Sequence, residues 1–434
     1  MSQKKIIFIL AVLLFLNATS LNISRSVGTF NMISYVLRIF IYFYVAWNVL
    51  KTNYPEILRR SYYYRFNVFV SGYLIINILF TYLWTNRSTS ISVPFPTLFV
   101  LADNALFLYI GYYLANKPEE NKKVIKLLWW FAVISIFVMT VLSIRIRLKY
   151  GSLVELWGMV RRGEGDSLGV MLNAYKNSFP YKFAVLIPFL FLRKNKFNVY
   201  LTILCVANIL LVGKKGPLLS LAIAALVVFL FSFRHKRRYI VYAGYAVLMF
   251  LLYFTLIDDS IFTTLEYRLN PARHWNVDDT TSFYLSGRDH IWKVTMDGFY
   301  RSSFTEKIFG HGTIGVVSWL VPRGMPGNAH NTWLEILYNY GIAGAFVFFT
   351  YYCYLIKMYF RMRRDRYEYT DFFLFLLVIP LVTMMFSVTI YGGFASMGYC
   401  GLLCAFLLGR YISQYQKFNY NQFRKELINQ EYGR

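Results

Sequence analysis

Residues 332–359 read TWLEILYNYGIAGAFVFFTYYCYLIKMY, and FRMRRDR follows at 360–366. A run of about 20 mostly apolar residues is what an α-helix needs to cross the hydrocarbon layer of a membrane. Because no water is available there to satisfy the backbone, such a segment has to be helical. Basic residues that follow an apolar run indicate its cytoplasmic end. This stretch therefore predicts a membrane-spanning helix whose start lies outside the cytoplasm.

The same pattern recurs along the chain and predicts twelve spans. Their approximate bounds are 5–22, 30–50, 66–85, 97–115, 125–144, 179–192, 198–213, 217–233, 239–257, 332–359, 371–390 and 393–409. The composition agrees, because 57% of the 434 residues are hydrophobic and only 15% are charged, whereas soluble domains carry about a quarter charged residues. We therefore predict an all-α, polytopic membrane protein of about 12 transmembrane helices, the first of them an uncleaved span rather than a signal peptide.

The formal net charge of +25 comes mainly from short basic clusters between the apolar runs. Five clusters follow the second, fourth, sixth, eighth and tenth spans: Lys51, Arg59, Arg60, Arg65; Lys117, Lys122, Lys123, Lys126; Arg193, Lys194, Lys196; Arg234, Lys236, Arg237, Arg238; Arg361, Arg363, Arg364, Arg366. All of them then lie on one side, which the positive-inside rule makes cytoplasmic. This distribution is typical of topology signals and does not indicate a nucleic-acid partner.

The spans divide the chain into four regions. An N-terminal membrane bundle covers 1–257 and includes an outer loop at 145–179, and a large extracytoplasmic loop covers 258–331. A C-terminal membrane bundle covers 332–409, and a basic cytoplasmic tail covers 410–434. The large loop is too polar to span a membrane, yet it contains aliphatic and aromatic residues, a helix-like piece at 286–300 and a Gly-rich piece at 310–327. We expect it to form a folded cap over the membrane body.

Two residues of this loop are candidates for chemistry. Thr332 to Glu335 fits a capping box, which predicts that a helix starts at His330 to Thr332. The positive end of the helix dipole disfavours imidazolium there, so a neutral His330 is a candidate general base; a polar helix cap is the simpler interpretation. Arg288 suits diphosphate oxygens, because its planar fork makes paired charged hydrogen bonds; a surface salt bridge with Asp289 or Glu306 is the alternative.

Further basic residues fall on the predicted outer side. Lys214 and Lys215 form a Gly-flanked turn, GKKG at 213–216, between two apolar runs. Paired lysines near lipid are costly unless they serve an ion or a headgroup, although snorkelling to the interface is the simpler explanation. Four arginines of the first outer loop are candidates for an electropositive patch with Arg288 and Lys214, or for a solvated loop face: Arg145, Arg147, Arg161 and Arg162.

Several kinds of site have no counterpart in the sequence. It contains no P-loop and no zinc-ligand spacing, and its adjacent carboxylate pairs, at 258–259 and 278–279, lack the spacing of a nucleotide-sugar site. The cysteines all lie in apolar runs, where packing explains them better than a disulfide or a metal site: Cys205, Cys353, Cys400 and Cys404. We therefore predict no cofactor and no metal.

Together these features resemble the O-antigen ligase and polymerase superfamily, the Wzy- and WaaL-like membrane glycosyltransferases. The resemblance rests on GKKG at 213–216, on SGR at 286–288 with Trp292 opening the large loop, and on GHG at 310–312 and HNTWLEILYNYGIAG at 330–344 closing it. The specific signal lies between about 200 and 410, whereas the N-terminal half matches only in hydropathy. Family members often have arginine where Lys214 or Lys215 stands.

The resemblance implies a GT-C-like membrane glycosyltransferase of the bacterial inner membrane, acting at its outer face on a sugar chain linked to undecaprenyl diphosphate. An acceptor hydroxyl attacks the anomeric carbon, the lipid diphosphate leaves and the configuration inverts. His330 is then the base, and Arg288 with Lys214 or Lys215 contacts the diphosphate. The implied partners are the undecaprenyl-diphosphate-linked oligosaccharide, an acceptor glycan, membrane lipid and a chain-length regulator.

Four functions remain open at this point, and one of them is a sensor or structural membrane protein, which the long cap would suit. A polymerase of surface polysaccharide repeat units (O-antigen, capsule or exopolysaccharide) is the leading hypothesis, and a ligase that transfers finished glycan to lipid A core or another acceptor is the alternative. A polysaccharide or lipid transporter would belong to a different class. A transporter is less consistent with the sequence, because it predicts internal repeats and charged or broken helices at the middle of the membrane, and neither is clear here.

Overall fold

A computed structural model describes residue 12 and residues 36–44, 64–76, 95–150, 179–231, 288–386 and 400–415, apart from 38, 67, 74, 116, 194, 213–214, 313–314 and 326–327 within them. All regular structure in these residues is helical. The predicted all-α class is thereby confirmed for this part of the chain. The predicted spans near 5–22 and 239–257 lie outside it, apart from residue 12, and so do 151–178 and 258–287 of the two outer loops and 416–434 of the tail.

Eleven helices are labelled here in chain order. They are α1 Phe95–Leu114, α2 Pro118–Tyr150, α3 Phe179–Phe191, α4 Phe197–Val212, α5 Lys215–Phe231, α6 Arg288–Arg301, α7 Phe304–Phe309, α8 Gly315–Leu320 with a 3-10 turn at Val321–Arg323, α9 Thr332–Arg364, α10 Thr370–Phe386, and α11 at 400–415. Short helical pieces precede them at 36–44 and 64–76. The bounds of α1, α3, α4, α5 and α10 follow the predicted apolar runs closely. Helix α2 runs six residues further than predicted, so Arg145 and Arg147 are helical.

Two of these helices are long and apolar enough to cross a membrane, at Asn121–Arg145 within α2 and at Thr332–Arg364. Shorter apolar stretches lie at Phe197–Ile209, Leu219–Phe231 and Thr370–Met385. Large apolar side chains are exposed along α2 and α9, among them Phe137 and Phe346. An outward apolar surface of this kind is what lipid covers. The number of spans stays a prediction, because much of the N-terminal half is outside the described residues.

The basic turns between helices share one end of the body. The rings of Phe191, at the end of α3, and Phe372, at the start of α10, lie 6.0 Å apart. The guanidinium of Arg363 lies over the ring of Phe231, so α9 and α5 end together. Asn198 accepts a hydrogen bond from the Trp129 indole at 2.7 Å, which brings α2 to the same level as the start of α4. The predicted segregation of positive charge therefore agrees with the packing of the described helices.

Helices α1 and α11 approach each other closely through two glycines. A Cβ atom at Gly111 would lie 2.0 Å from the carbonyl oxygen of Phe406, and one at Gly409 would lie 2.0 Å from that of Leu108. Small residues at such crossings let helix backbones meet in membranes, where dispersion rather than water drives association. This crossing brings the last described helix into the main core.

The described part of the large loop forms a cap with its own small core. Helices α6 and α8 pack together, and Gly298 makes room for the indole of Trp319, which donates to the carbonyl of Val294 at 2.9 Å. The buried apolar residues of the cap include Ile291, Phe299, Val316, Leu320 and Tyr338. Because Tyr338 belongs to α9, the first turns of that helix are part of the cap, while Ile336 and Tyr340 point into the membrane body. The bounds and the outer location of the predicted loop at 258–331 stay a prediction.

Candidate functional site

The start of α9 is capped by Asn331 rather than by the predicted capping box. The Oδ1 atom of Asn331 accepts from the backbone N–H groups of Trp333 and Leu334 at 3.0 and 3.2 Å, and the helix begins at Thr332. Asparagine is among the strongest N-cap residues, because its short side chain reaches these orphan donors. Glu335 turns back instead and accepts from the N–H of Ala329 at 2.9 Å, with 6% of its surface exposed. The predicted Thr332–Glu335 capping box was wrong, although the predicted start of the helix was right.

His330 directly precedes this cap and has an unusual backbone conformation. Its φ angle is +50°, which few residues other than glycine adopt. Such conformations cost free energy and persist where the surrounding contacts impose them. The hydrogen bonds of Ala329 and Asn331 hold the backbone on both sides of His330. The imidazole is partly buried at the positive end of α9, as predicted.

A hydrogen bond links this segment to the helix that carries Arg288. The indole N–H of Trp292 donates to the carbonyl of Ala329 at 2.9 Å. Arg288 is the first residue of α6 and lies one turn before Trp292 on the same helix face. The two ends of the described cap therefore come together, so that the helix of Arg288 meets the segment that contains His330.

Arg288 does not form the salt bridge with Glu306 that was the alternative to a binding role. Glu306 accepts from the backbone N–H and the hydroxyl of Ser303 at 2.9 and 2.8 Å, and its other oxygen faces His311. No salt bridge of Arg288 occurs among the described residues. A partly exposed guanidinium in this position is available to an anionic ligand.

The cap is joined to α9 at a kink centred on Gly341, whose φ angle is +68°. Three successive carbonyl groups before the kink accept hydrogen bonds from outside the helix. The carbonyls of Tyr338 and Asn339 accept from the N–H groups of His311 and Gly312 at 3.0 and 2.9 Å, and that of Tyr340 accepts from the hydroxyl of Tyr73 at 2.6 Å. The first two of these bonds fix the cap, and with it Arg288, relative to the helix that presents His330.

Side chains reinforce the same junction. The Oδ1 atom of Asn339 accepts from the backbone N–H of Val316, the second residue of α8. The ring of His311 stacks on that of Tyr338 with centroids 4.4 Å apart. Its Nε2 lies 2.6 Å from the Ser302 hydroxyl, and its Nδ1 lies 3.4 Å from a carboxylate oxygen of Glu306. His311 therefore ties α6, α7 and α9 together.

Asn328 adds a polar atom that reasoning from the sequence did not single out. Its Oδ1 atom is buried, and it has no hydrogen-bond partner among the residues that the structure describes. An unsatisfied buried acceptor is costly, so a bound hydroxyl or amide would stabilise it. The only sequence signal was its place two residues before His330. Trp292, Glu335 and Asn328 are thus additions to the predicted site.

The remaining predicted site residues can be placed only in part. Lys215 begins α5, and the hydroxyl of Thr383, near the end of α10, donates to that of Ser220 at 2.9 Å. Since α9 and α10 are antiparallel neighbours, the start of α5 lies at the end of the body that carries the cap. Lys214 is outside the described residues, and so are Arg161 and Arg162. Arg145 is exposed near the end of α2.

The described residues define an all-helical protein with apolar helices suited to a membrane and a polar cap at one end. Residues 200–349 match the family model described as O-antigen ligase, which supports the predicted resemblance to the O-antigen ligase and polymerase superfamily. The matched range starts within α4, includes the start of α5 and the whole cap, and ends beyond the kink of α9. A search of the curated proteins found no match. Members of this superfamily are glycosyltransferase-like ligases and polymerases, so the match supports an enzyme of this kind.

Proposed function

We propose that the protein is a polymerase of surface polysaccharide repeat units (O-antigen, capsule or exopolysaccharide). It transfers glycan from undecaprenyl diphosphate to an acceptor sugar hydroxyl, by metal-independent inverting transfer at the outer face of the cytoplasmic membrane. The observation that carries the proposal is the hydrogen bond from the Trp292 indole to the Ala329 carbonyl. It brings the helix of Arg288 to the segment of His330, and this reaction needs both residues in one site.

The two residues suit the two chemical requirements of the reaction. The acceptor oxygen forms a bond to the anomeric carbon of the donor, and the bond between that carbon and the diphosphate oxygen breaks. Nε2 or Nδ1 of His330 takes the proton that the acceptor hydroxyl loses. The diphosphate leaves with the bonding electron pair, and Arg288, with Lys214 or Lys215, stabilises its added negative charge. A diphosphate is a good leaving group, so the site needs no strong acid.

Ligation is the alternative, and the description of the matched family as O-antigen ligase favours it. A ligase would use the same base and the same cations but would take finished glycan to lipid A core or another acceptor. The two functions differ in what accumulates when the enzyme fails. Loss of a polymerase leaves single lipid-linked units, whereas loss of a ligase leaves long lipid-linked chains.

The test replaces each residue in a strain that lacks the native gene. We expect His330→Ala and Arg288→Ala each to lower surface glycan by a hundredfold or more, because a general base and a charge-stabilising group each contribute about two to four orders of magnitude. The matched controls are His290→Ala and Arg301→Ala, which remove exposed residues of the same types from α6. Surface glycan length and lipid-linked intermediates are measured at equal protein levels.

The outcomes separate the hypotheses. Single lipid-linked units in the two site variants would support the polymerase, and long lipid-linked chains would support the ligase. Normal glycan in both site variants would show that the assignment of His330 and Arg288 is wrong. An equal loss in the two control variants would show that the cap tolerates no substitution, and Arg288→Lys, which keeps the charge but not the planar fork, would then test the diphosphate contact.

A further inference from the structure

The end of α9 opposite the cap carries an exposed face with two kinds of side chain. Six residues spaced by three and four lie along it and line an open groove of about 510 Å³: Cys353, Ile356, Lys357, Phe360, Arg361 and Arg364. This spacing places all six on one face of the helix. Residues of the opposite face, such as Leu355, Met358 and Met362, are buried in the main core. The groove is therefore on the outer surface of the body.

Apolar and basic side chains alternate along the groove. The apolar ones include Ile356, which is 39% exposed, and Phe360, which is 52% exposed. The basic ones are Lys357, Arg361 and Arg364, which carry three positive charges within two helical turns. Arg364 pairs with Asp365 at 3.1 Å, and within the described residues neither Lys357 nor Arg361 has a salt bridge. The groove thus places apolar side chains beside cations, two of which have no salt bridge within the described residues.

The helix dipole accounts for only part of this arrangement of side chains. Cations near a helix C-terminus are favoured by the helix dipole, which suits Arg361 and Arg364. Like charges four residues apart, as at Lys357 and Arg361, repel each other and destabilise a helix. A bound anion would remove that repulsion. An anion with an apolar chain would also cover Phe360 and Ile356, which helix-dipole effects leave unexplained.

We propose that this groove binds an anionic phospholipid of the leaflet opposite the cap. Its phosphate contacts Lys357, Arg361 and Arg364, and its acyl chain lies along Phe360 and Ile356. Guanidinium groups bind phosphate oxygens through paired hydrogen bonds, and basic pockets at the ends of membrane helices suit anionic headgroups. A zwitterionic lipid has no net charge to offset three cations. The site lies at the far end of α9 from His330, so it does not depend on the proposed transfer reaction.

The test titrates the purified full-length protein in detergent micelles with phosphatidylglycerol or with phosphatidylcholine, and counts bound lipids by native mass spectrometry. We expect phosphatidylglycerol to bind at least tenfold more tightly than phosphatidylcholine. The double variant Lys357→Gln/Arg361→Gln should lose this preference. The control Lys123→Gln/Lys126→Gln removes the same charge from exposed positions of α2 and should keep it.

Four results would overturn the proposal. The first is an equal affinity of the native protein for the two lipids, which needs no variant to observe. The second is an equal loss in both double variants, which would indicate a diffuse effect of net charge. The third is displacement of the lipid by millimolar glycerol phosphate, which would identify a site for a soluble phosphate. The fourth is an unchanged preference for phosphatidylglycerol in Lys357→Gln/Arg361→Gln. If that variant fails to fold, Phe360→Ser tests the apolar residues of the groove instead.

Discussion

His311 has hydrogen-bonding neighbours that one protonation state satisfies completely. The hydroxyl of Ser302 has one proton, and it donates that proton to the carbonyl of Gly298 at 2.7 Å. Gly298 needs this donor, because the N–H of Ser302 binds the carbonyl of Phe299 instead. Nε2 of His311 must then donate to Ser302, and Nδ1 faces the carboxylate of Glu306. The imidazolium form of His311 satisfies every one of these groups.

Replacing His311 should therefore loosen the cap. We expect His311→Ala to lower the free energy of unfolding by about 1–3 kcal/mol, since Ser302 and Glu306 each lose one of their partners. His311→Gln should cost less, because one amide donor can still reach Ser302. Thermal unfolding of the purified variants measures both effects. Equal stability of His311→Ala and the native protein would contradict the proposed role of the hydrogen bonds.

Glu335 allows a test of how the His330 segment is held. Its carboxylate is buried and accepts from the N–H of Ala329. We expect Glu335→Gln to keep this bond and most of the activity, and Glu335→Ala to lower activity at least tenfold, because the backbone beside His330 loses its restraint. The readout is surface glycan at equal protein levels. A Glu335→Gln variant as inactive as Glu335→Ala would indicate that the charge, not the hydrogen bond, is required.

At the scale of the helix, α9 consists of two parts joined at Gly341. Thr332–Arg364 spans 33 residues, about 50 Å at 1.5 Å per residue, which exceeds the roughly 30 Å of the hydrocarbon layer. The part before the kink packs against both the cap and the body. The exposed apolar side chains of Ile342, Phe346 and Phe349 all follow the kink. One helix thus belongs to two structural environments.

The kink can be tested with two glycines that share a backbone conformation. A Cβ atom at Gly341 would lie 2.3 Å from the carbonyl oxygen of Ile308, whereas one at Gly324, with a φ angle of +71°, would have nothing within 4 Å. Gly324→Ala should lower the free energy of unfolding by about 1–2 kcal/mol, because alanine disfavours the left-handed backbone. Gly341→Ala should lower it further and release the cap from α9. Faster proteolysis between α6 and α8 would measure this release. Equal effects of the two variants would show that the close contact is unimportant.

The sequence was more informative about helices than about their junctions. Apolar runs predicted the bounds of α3, α4 and α10 closely, because burial in lipid leaves few alternatives to helix. The apolar run of α9 gave no sign that this helix bends at Gly341, since glycine is common inside membrane helices. At the site, the capping-box pattern predicted the start of the helix beside His330 correctly, but it assigned the cap to Thr332 instead of Asn331. The contact of Trp292 with Ala329 joins residues 37 apart, and local patterns do not predict such pairs.

Across the whole molecule, the described helices form one body with the basic turns at one end and the cap at the other. Charge patterning predicted this segregation before any packing was considered. The crossing of α1 and α11 closes the body and joins residues about 300 positions apart in the chain. Its stability depends on two backbones that meet without side chains between them.

This crossing gives a prediction for the assembled protein. We expect Gly111→Leu and Gly409→Leu each to abolish the folded form, because each side chain would have to separate the helices by several ångströms. Gly72→Leu is the control, since a Cβ atom there meets nothing within 4 Å. Size-exclusion chromatography of the detergent-solubilised variants measures the folded fraction. A monodisperse Gly111→Leu variant would show that the two helices do not need this close approach.

The junction between the cap and α9 has a consequence for how such proteins diversify. Its central bonds join main-chain N–H groups of His311 and Gly312 to main-chain carbonyls of Tyr338 and Asn339. Main-chain atoms are the same whatever the side chains are, so most cap positions can change without weakening this attachment. Substitutions can therefore change the surface of the cap and leave its position relative to α9 unchanged.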